Sequence, residues 1–155
     1  MTEETTQRKV IVFQIHEEEY TIPVELVGSI ERMMPITRVP GTKPFVKGVL
    51  NLRGVVTPVI DLRERFGMDK IEETERTRIV TVKIKERNVG LIVDAAKDVL
   101  DLDEENIEPP PEVTGTVEAD YIQGVSKMDQ RLFILLNLEK VLSKEDVLEL
   151  NQIHA

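Results

Sequence analysis

An internal repeat constrains the fold of this 155-residue chain more than any other feature of the sequence. The apolar alternation at positions 11–30 recurs at 80–99, an offset of 69 residues. The pattern at 48–62 recurs at 124–138, an offset of 76 residues, so the second copy carries a seven-residue insertion. That insertion lies in the interval that contains three consecutive prolines, Pro109–Pro111. The sequence therefore predicts that one small structural unit is built twice.

Each copy is predicted to contain two strands, an extended link and a hairpin, which makes about five short strands. Such a unit closes best as a small barrel, because closure removes the exposed edges of a short sheet. The barrels are expected at roughly 10–70 and 77–136, with 137–155 forming a helix that plugs the first barrel. Since each core is thin, the two barrels are expected to pack together and share a third apolar layer.

The segment 45–60 is the clearest hairpin in the sequence. Apolar and polar residues alternate up to Leu52, and Arg53-Gly54 then reverses the chain, because glycine adopts a positive φ without strain. The return strand contains Pro58, which has no N–H to donate to a β-ladder. This strand is therefore predicted to lie at a sheet edge or to bulge at Pro58.

Two helix starts are predicted from capping patterns. Asp61 with Glu64 three residues later is typical of a capping box, and Gly67 suits the end of a short helix. Ser143 with Asp146 repeats the pattern among apolar residues at helical spacing. We therefore expect a short helix after the central hairpin and a helix at the C-terminus.

Composition argues against several classes of function. The net charge is −9, and the chain has four Phe, two Tyr and no Trp, so the basic surface and stacking rings of a nucleic-acid binder are not expected. An anionic membrane surface would repel this chain, and no apolar run approaches ~18 residues. The N-terminus lacks the apolar region of a signal peptide. The lack of cysteine excludes disulfides and fits a reducing compartment.

Polar clusters that suggest chemistry have simpler interpretations. The acidic stretch Asp101–Asn106 lacks the glycine of a calcium-binding loop, and prolines occupy the place of the exiting helix, so a solvated turn is predicted. His16 beside Glu17–Glu19 offers no fixed metal geometry. No serine stands in a nucleophile motif, and no glycine-rich phosphate loop follows a strand. No metal, cofactor or catalytic residue is therefore expected.

One long motif also carries a family resemblance. Gly48–Leu62 reads G-V-x-N-L-R-G-x-x-x-P-V-I-D-L, which resembles the signature of the CheW family of chemotaxis coupling proteins, and Val89–Asp94 continues the similarity. The resemblance implies one CheW-like domain over 1–155, mainly β, with two SH3-like five-stranded barrels and a groove between them. It also implies a non-catalytic, cytoplasmic adaptor. Such an adaptor joins methyl-accepting chemotaxis receptors to the histidine kinase CheA and reaches the membrane only through those receptors.

The resemblance further implies two contact surfaces. The helical hairpin tip of a receptor is expected in the groove, on the residues that match the family's receptor-contact pattern: Ile11, Val24, Val27, Ile30, Gly48 and Arg53. The regulatory domain of CheA is expected at the proline-rich loop, on Glu108 and Val113, although Glu108 stands where the family often has a basic residue. Ser29 replaces the family's usual glutamate, so a carboxylate beside the groove is expected to be missing, with Glu31 on the opposite face.

The residues alone leave the role of Arg53 open. It is either an exposed turn residue or, flanked by Leu52 and Val55, an interface anchor. The equivalent turn of the second copy has Asp129, so the two turns differ in the sign of their charge. The alternative functions are an SH3-like or OB-like module that binds nucleic acid or oligosaccharide, and a purely structural homo-oligomer.

Overall fold

The computed structural model describes residues 7–110 and 121–151, which form two β-sheets with short helices. The strands are β1 (Gln7–Ile15), β2 (Glu18–Pro23), β3 (Val27–Arg32), β4 (Val46–Leu52), β5 (Val55–Asp61), β6 (Arg78–Ile84), β7 (Arg87–Val93), β8 (Ala95–Asp103), β9 (Ile107–Glu108), β10 (Ile122–Met128) and β11 (Arg131–Leu136). The helices are α1 (Leu62–Arg65), α2 (Leu138–Val141) and α3 (Lys144–Asn151), with 3-10 turns at Val24–Leu26 and Glu104–Asn106. Across these two described ranges, no helix is both long enough and apolar enough to cross a membrane.

Sheet A has the strand order β8-β1-β2-β11-β10-β9, and sheet B has the order β3-β6-β7-β5-β4. Each sheet contains one parallel pair, β2 with β11 in sheet A and β5 with β7 in sheet B. The predicted mainly β fold is confirmed, and the SH3-like description of two small barrels fits these sheets. Sheet A differs from the expected five strands by the two-residue β9, whose counterpart in sheet B is an isolated bridge between Thr37 and Val49.

The strand pairing preserves the internal repeat. Ile30 pairs with Val80 in sheet B, and Ile11 pairs with Val99 in sheet A, so both members of the pair keep the 69-residue offset. The hairpins β4–β5 and β10–β11 keep the 76-residue offset in the same way. The seven-residue insertion therefore lies between Val99 and the second hairpin, as the sequence indicates.

The strands divide between the sheets differently from the predicted ranges 10–70 and 77–136. The first two strands, β1 and β2, belong to sheet A with β8–β11, whereas β6 and β7 belong to sheet B with β3–β5. The chain crosses between the sheets at Pro23–Val27 and at Val93–Ala95. The first crossing begins where Pro23 ends β2, and its 3-10 turn contacts both β1 and β6. Each sheet therefore combines strands from both copies of the repeat.

Buried apolar side chains form the three expected layers. Alternate residues of β1 serve two of them, since Val10 and Val12 lie inside sheet A while Phe13 and Ile15 face sheet B. The core of sheet A contains Val10, Val12, Leu102, Phe133 and Leu135, and the core of sheet B contains Leu50, Val59 and Ile79. The largest cluster, here called the inter-sheet layer, draws side chains from both sheets and joins them into one body.

The return strand of the central hairpin, β5, is an interior strand, contrary to the predicted edge. It lies between β4 and β7 in sheet B. Pro58 pairs with Val49, and the parallel ladder with β7 begins only at Val59. The imino acid therefore lies just outside that ladder, which is why an interior strand tolerates it.

Both predicted helix starts are present. The Asp61 carboxylate accepts from the Arg63 backbone N–H at 2.9 Å, but the Asp61 N–H donates to the Phe45 carbonyl rather than to Glu64. The second cap is reciprocal: the N–H of Ser143 donates to Asp146 Oδ2 at 3.0 Å, and the N–H of Asp146 donates to Ser143 Oγ at 3.1 Å. Only the second start is therefore a complete capping box.

The helices α2 and α3, here called the terminal strap (138–151), follow sheet A in sequence but dock on side chains that flank sheet B. Lys43 and Arg65 both bind the buried carboxylate of Asp146. Three cations donate to carbonyls near the ends of the two helices: Arg65 to Val141, Lys85 to Leu142 and Arg87 to Leu150. The strap also buries Leu138, Val141, Leu142 and Leu150 in the inter-sheet layer.

The polar clusters take ordinary structural positions. Asp101–Asn106 spans the end of β8 and the second 3-10 turn. His16 lies in the β1–β2 turn at φ 58°, and its Nδ1 is 3.5 Å from Glu18. Within the described residues, no group of three or more side chains is arranged to hold a metal ion.

Candidate functional site

A β-bulge at Gly28 brings two of the predicted receptor contacts onto one face of β3. Val27 pairs with Val82 and Ser29 pairs with Thr81, so Gly28 is an extra residue without its own partner. Side chains of directly paired residues share a face of the sheet. Val27 and Ile30 therefore both lie on the side of Val82 and Val80, which belong to the inter-sheet layer.

The opposing wall comes from sheet A. Ile11 pairs with Val99 on β8 and with Ile22 on β2, so its side chain also faces the inter-sheet layer. Ile11 is buried, whereas Val99 is 55% exposed and Ile30, its counterpart on sheet B, is 42% exposed. Sequence reasoning missed Val99 as a site residue, although its 69-residue offset from Ile30 was the signal that identifies it.

Val24 completes the arrangement from the crossover segment. It begins the 3-10 turn that contacts β1 of sheet A and β6 of sheet B, so it lies where the two sheets meet. Ile11, Val24, Val27, Ile30 and Val99 thus line the exposed border of the inter-sheet layer, and we call them the docking groove. Four of the six receptor contacts implied by the sequence converge there.

Gly48 and Arg53 lie elsewhere. Gly48 is buried on β4, at the far edge of sheet B from β3, and the Thr37 backbone lies directly over it. Arg53 is at the tip of the β4–β5 hairpin with φ 54°, its side chain is 76% exposed, and its Nη2 is 3.4 Å from Glu31 Oε2. This ion pair joins the hairpin tip to β3, beside the groove residue Ile30.

The expected position of Ser29 beside the groove is wrong. Because of the bulge, Ser29 shares a face with Glu31, opposite Ile30, and both its backbone and its hydroxyl bind Thr81. Glu31 lies on the face opposite the groove, as expected. The groove walls are therefore apolar on both sides, whatever residue stands at position 29.

Comparison with known proteins identifies the family. The sequence matches the CheW-like domain over residues 9–146. The chain belongs to the CheW family. It is 44% identical over 140 residues to the chemotaxis protein CheW of Bacillus subtilis, covering 90% of each chain. It is 38% identical over 144 residues to the Klebsiella aerogenes CheW, covering 93% of this chain and 87% of the relative.

A solved structure supports the same assignment. The scaffolding protein TtCheW of Thermoanaerobacter tengcongensis superposes with a TM-score of 0.83 at 37% identity, covering 89% of this chain and 94% of that one. The CheW family consists of chemotaxis scaffolds, and this chain is accordingly a chemotaxis adaptor. Its partners are components of chemotaxis signalling.

In this CheW-family chain, an ion pair fixes the second crossover between the sheets. Arg63 on α1 binds Asp94 through two bonds, Nε to Oδ1 at 2.9 Å and Nη2 to Oδ2 at 2.8 Å, and the hydrogen bond to Asp94 raises the pKa of Arg63. Asp94 also accepts the His16 N–H at 2.7 Å, and its own N–H donates to the Gln14 carbonyl. The motif that ends in Asp94 therefore serves the joint between the sheets.

The second expected contact surface is only partly described. Glu108 is exposed on β9, and its backbone pairs with Val125 on β10. Val113 lies outside the described residues, so the contact at the proline-rich loop stays a prediction at both positions.

Proposed function

We propose that this CheW-family adaptor couples the cytoplasmic tips of chemoreceptors to the histidine kinase CheA, without catalysing a reaction, and acts in the cytoplasm. The observation that carries the proposal is the docking groove. There, two half-exposed apolar side chains, Ile30 and Val99, flank a continuous buried layer. Such a surface suits the apolar stripe of a receptor helix.

The energetics favour moderate affinity. Burying a Val or Ile side chain contributes about 1.5–3 kcal/mol, and the loss of translational freedom and side-chain ordering offsets much of the sum. Single contacts of roughly micromolar strength are therefore expected, and multiple linked contacts in an array would strengthen them. Arg53 is placed to add a cation at the rim through its bridge to Glu31. Glu108 and Val113 are proposed for the CheA regulatory domain.

The alternative as a nucleic-acid or oligosaccharide module has little support. All six aromatic rings of the chain, Phe13, Tyr20, Phe45, Phe66, Tyr121 and Phe133, are buried. Sequence-tolerant binding of single strands relies on exposed rings that stack on bases. The aromatic residues of this protein instead serve the cores of the sheets.

Co-sedimentation with a receptor cytoplasmic fragment, with and without CheA, tests the proposal. Wild-type protein should sediment with the receptor fragment, and Ile30→Asp or Val99→Asp should reduce the bound fraction strongly. Ile71→Asp is the matched control, because Ile71 is 50% exposed but lies in the loop between α1 and β6. Equal losses for all three variants, or binding of a single-stranded oligonucleotide instead of the receptor fragment, would refute the groove.

A further inference from the structure

The side chain of Thr81 organises the bulge that shapes the docking groove. Thr81 lies in the interior strand β6 and is buried. Its Oγ1 accepts from the Ser29 N–H at 2.7 Å, lies 2.9 Å from Ser29 Oγ and donates to the Ser29 carbonyl at 3.3 Å. A hydroxyl has one donor and two acceptor sites. This hydroxyl therefore uses its full capacity on one residue, the first after the bulge.

The residue at the bulge is matched to this hydroxyl. A Cβ on Gly28 would lie 2.9 Å from Thr81 Oγ1, closer than real Cβ contacts allow. Glycine at 28 thus leaves room for the hydroxyl to reach Ser29. The bulge interrupts the backbone ladder between β3 and β6, and the Thr81 side chain supplies the acceptor that Ser29 N–H needs.

The bulge decides which side chains face the groove. In a regular strand, successive residues alternate between faces, so residues 27 and 30 would lie on opposite sides. With Gly28 as the extra residue, Val27 pairs with Val82 and Ile30 with Val80, and both face the inter-sheet layer. Loss of the bulge would turn one of them away from a docked partner.

We propose that Thr81 is a positioning residue for partner docking, which holds the Gly28 bulge and so aims Val27 and Ile30 at the same ligand surface. The inference rests on the proposed receptor-binding function of the groove. Thr81 itself touches no partner, because it lies behind the face that carries Ser29.

The variant Thr81→Val tests this role, since it keeps the shape of the side chain and removes the hydroxyl. Thr57→Val is the matched control: Thr57 is buried in β5 of the same sheet, and its hydroxyl donates to the Val55 carbonyl at 3.3 Å, away from the groove. Thr81→Ser restores the hydroxyl. Affinity for the receptor cytoplasmic fragment should fall about fivefold to tenfold in Thr81→Val, and stay near wild type in the other two.

Hydrogen exchange gives a readout that does not depend on the partner. The Ser29 amide should exchange faster in Thr81→Val than in wild type, Thr81→Ser or Thr57→Val, because only that variant removes its acceptor. Unchanged Ser29 protection in Thr81→Val would overturn the inference. So would wild-type affinity in Thr81→Val, or an equal loss of affinity in Thr57→Val.

The same measurements separate this inference from the proposed function. If the wild-type protein does not bind the receptor fragment, the proposed function fails, and the docking role of Thr81 fails with it. If the wild-type protein binds and Thr81→Val binds equally well, the inference alone is wrong.

Discussion

Gly48 is determined by the space around it rather than by a partner. A Cβ at this position would lie 2.0 Å from the Thr37 carbonyl oxygen, and the φ of +139° is nearly restricted to glycine. The segment that presses on it is held by two backbone hydrogen bonds between Thr37 and Val49, both 2.8 Å. The family resemblance placed Gly48 among the receptor contacts, whereas the structure gives it a packing role in sheet B.

Gly48→Ala is therefore expected to lower the free energy of unfolding by about 2–5 kcal/mol, since overpacking and backbone strain add together. Urea unfolding followed by circular dichroism measures the change. Gly54→Ala is the control, because Gly54 also has a positive φ of +84° but has no atom within 4 Å of an added Cβ. It should cost about 1 kcal/mol. Similar losses in both variants would show that the Thr37 contact is unimportant.

Arg53 gives the opposite expectation. Its side chain is 76% exposed, and its ion pair with Glu31 is a surface contact, so Arg53→Ala should change the free energy of unfolding by less than about 1 kcal/mol. Affinity for the receptor fragment should fall by about 1–2 kcal/mol, the scale of an interface anchor. Isothermal titration calorimetry measures the affinity, with Arg76→Ala, an exposed arginine in the turn before β6, as the control. A loss of stability that matches the loss of affinity would contradict this assignment.

At the scale of elements, local signals were readable and tertiary competition was not. Ser143 and Asp146 bind each other across three residues, so their capping box follows from sequence alone. At α1 the same pattern is only half realised. The Asp61 N–H is taken by Phe45, and the Glu64 carboxylate pairs with Lys47, both distant partners that no local pattern reveals.

The terminal strap depends on one carboxylate, which yields a prediction. Asp146→Asn removes the charge that Lys43 and Arg65 bind, and should lower the free energy of unfolding at pH 7 by about 1.5–3 kcal/mol. Asp61→Asn is the control, because burial raises the pKa of Asp61 and its charged form is disfavoured already. Urea unfolding at pH 7 compares the two. A larger loss at Asp61 than at Asp146 would contradict the role of the strap.

The effect of Asp146 should depend on pH. Burial acts to raise the pKa of Asp146, but the hydrogen bonds from Lys43 and Ser143 outweigh it and hold the pKa below its usual value of 3.8. A group with a depressed pKa stabilises the fold fully above its unfolded value and loses that contribution as the pH falls through its folded value. The difference between wild type and Asp146→Asn should therefore shrink when unfolding is repeated below pH 3.8.

At the scale of the whole molecule, the repeat was visible in the sequence but the exchange of strands was not. Ile11, Ile30, Val80 and Val99 keep their offset whether a copy folds on itself or trades its first hairpin with the other copy. Periodicity reports which residues pair within a type of strand, and it carries no information on which copy supplies the partner. The crossing at Pro23–Val27 decides that, and it depends on the 3-10 turn that packs on both sheets.

The exchange predicts how fragments behave. A cut in the link before β6 gives fragments 1–76 and 77–155, each with strands of both sheets and neither with a complete sheet. Each fragment alone should show the narrow amide dispersion of an unfolded chain in NMR spectra, and an equimolar mixture should recover the dispersed spectrum. A folded spectrum from either fragment alone would contradict the exchanged arrangement.

The first crossover also has a mechanical consequence. Val24 and Val27 belong both to the groove and to the strand of chain that stitches one sheet to the other, and Arg63 rivets the second stitch through Asp94. A jaw sewn shut at its own hinge cannot gape to admit a thicker helix. Whatever enters must already have the right girth, so this adaptor selects its guests by shape before any affinity is expressed.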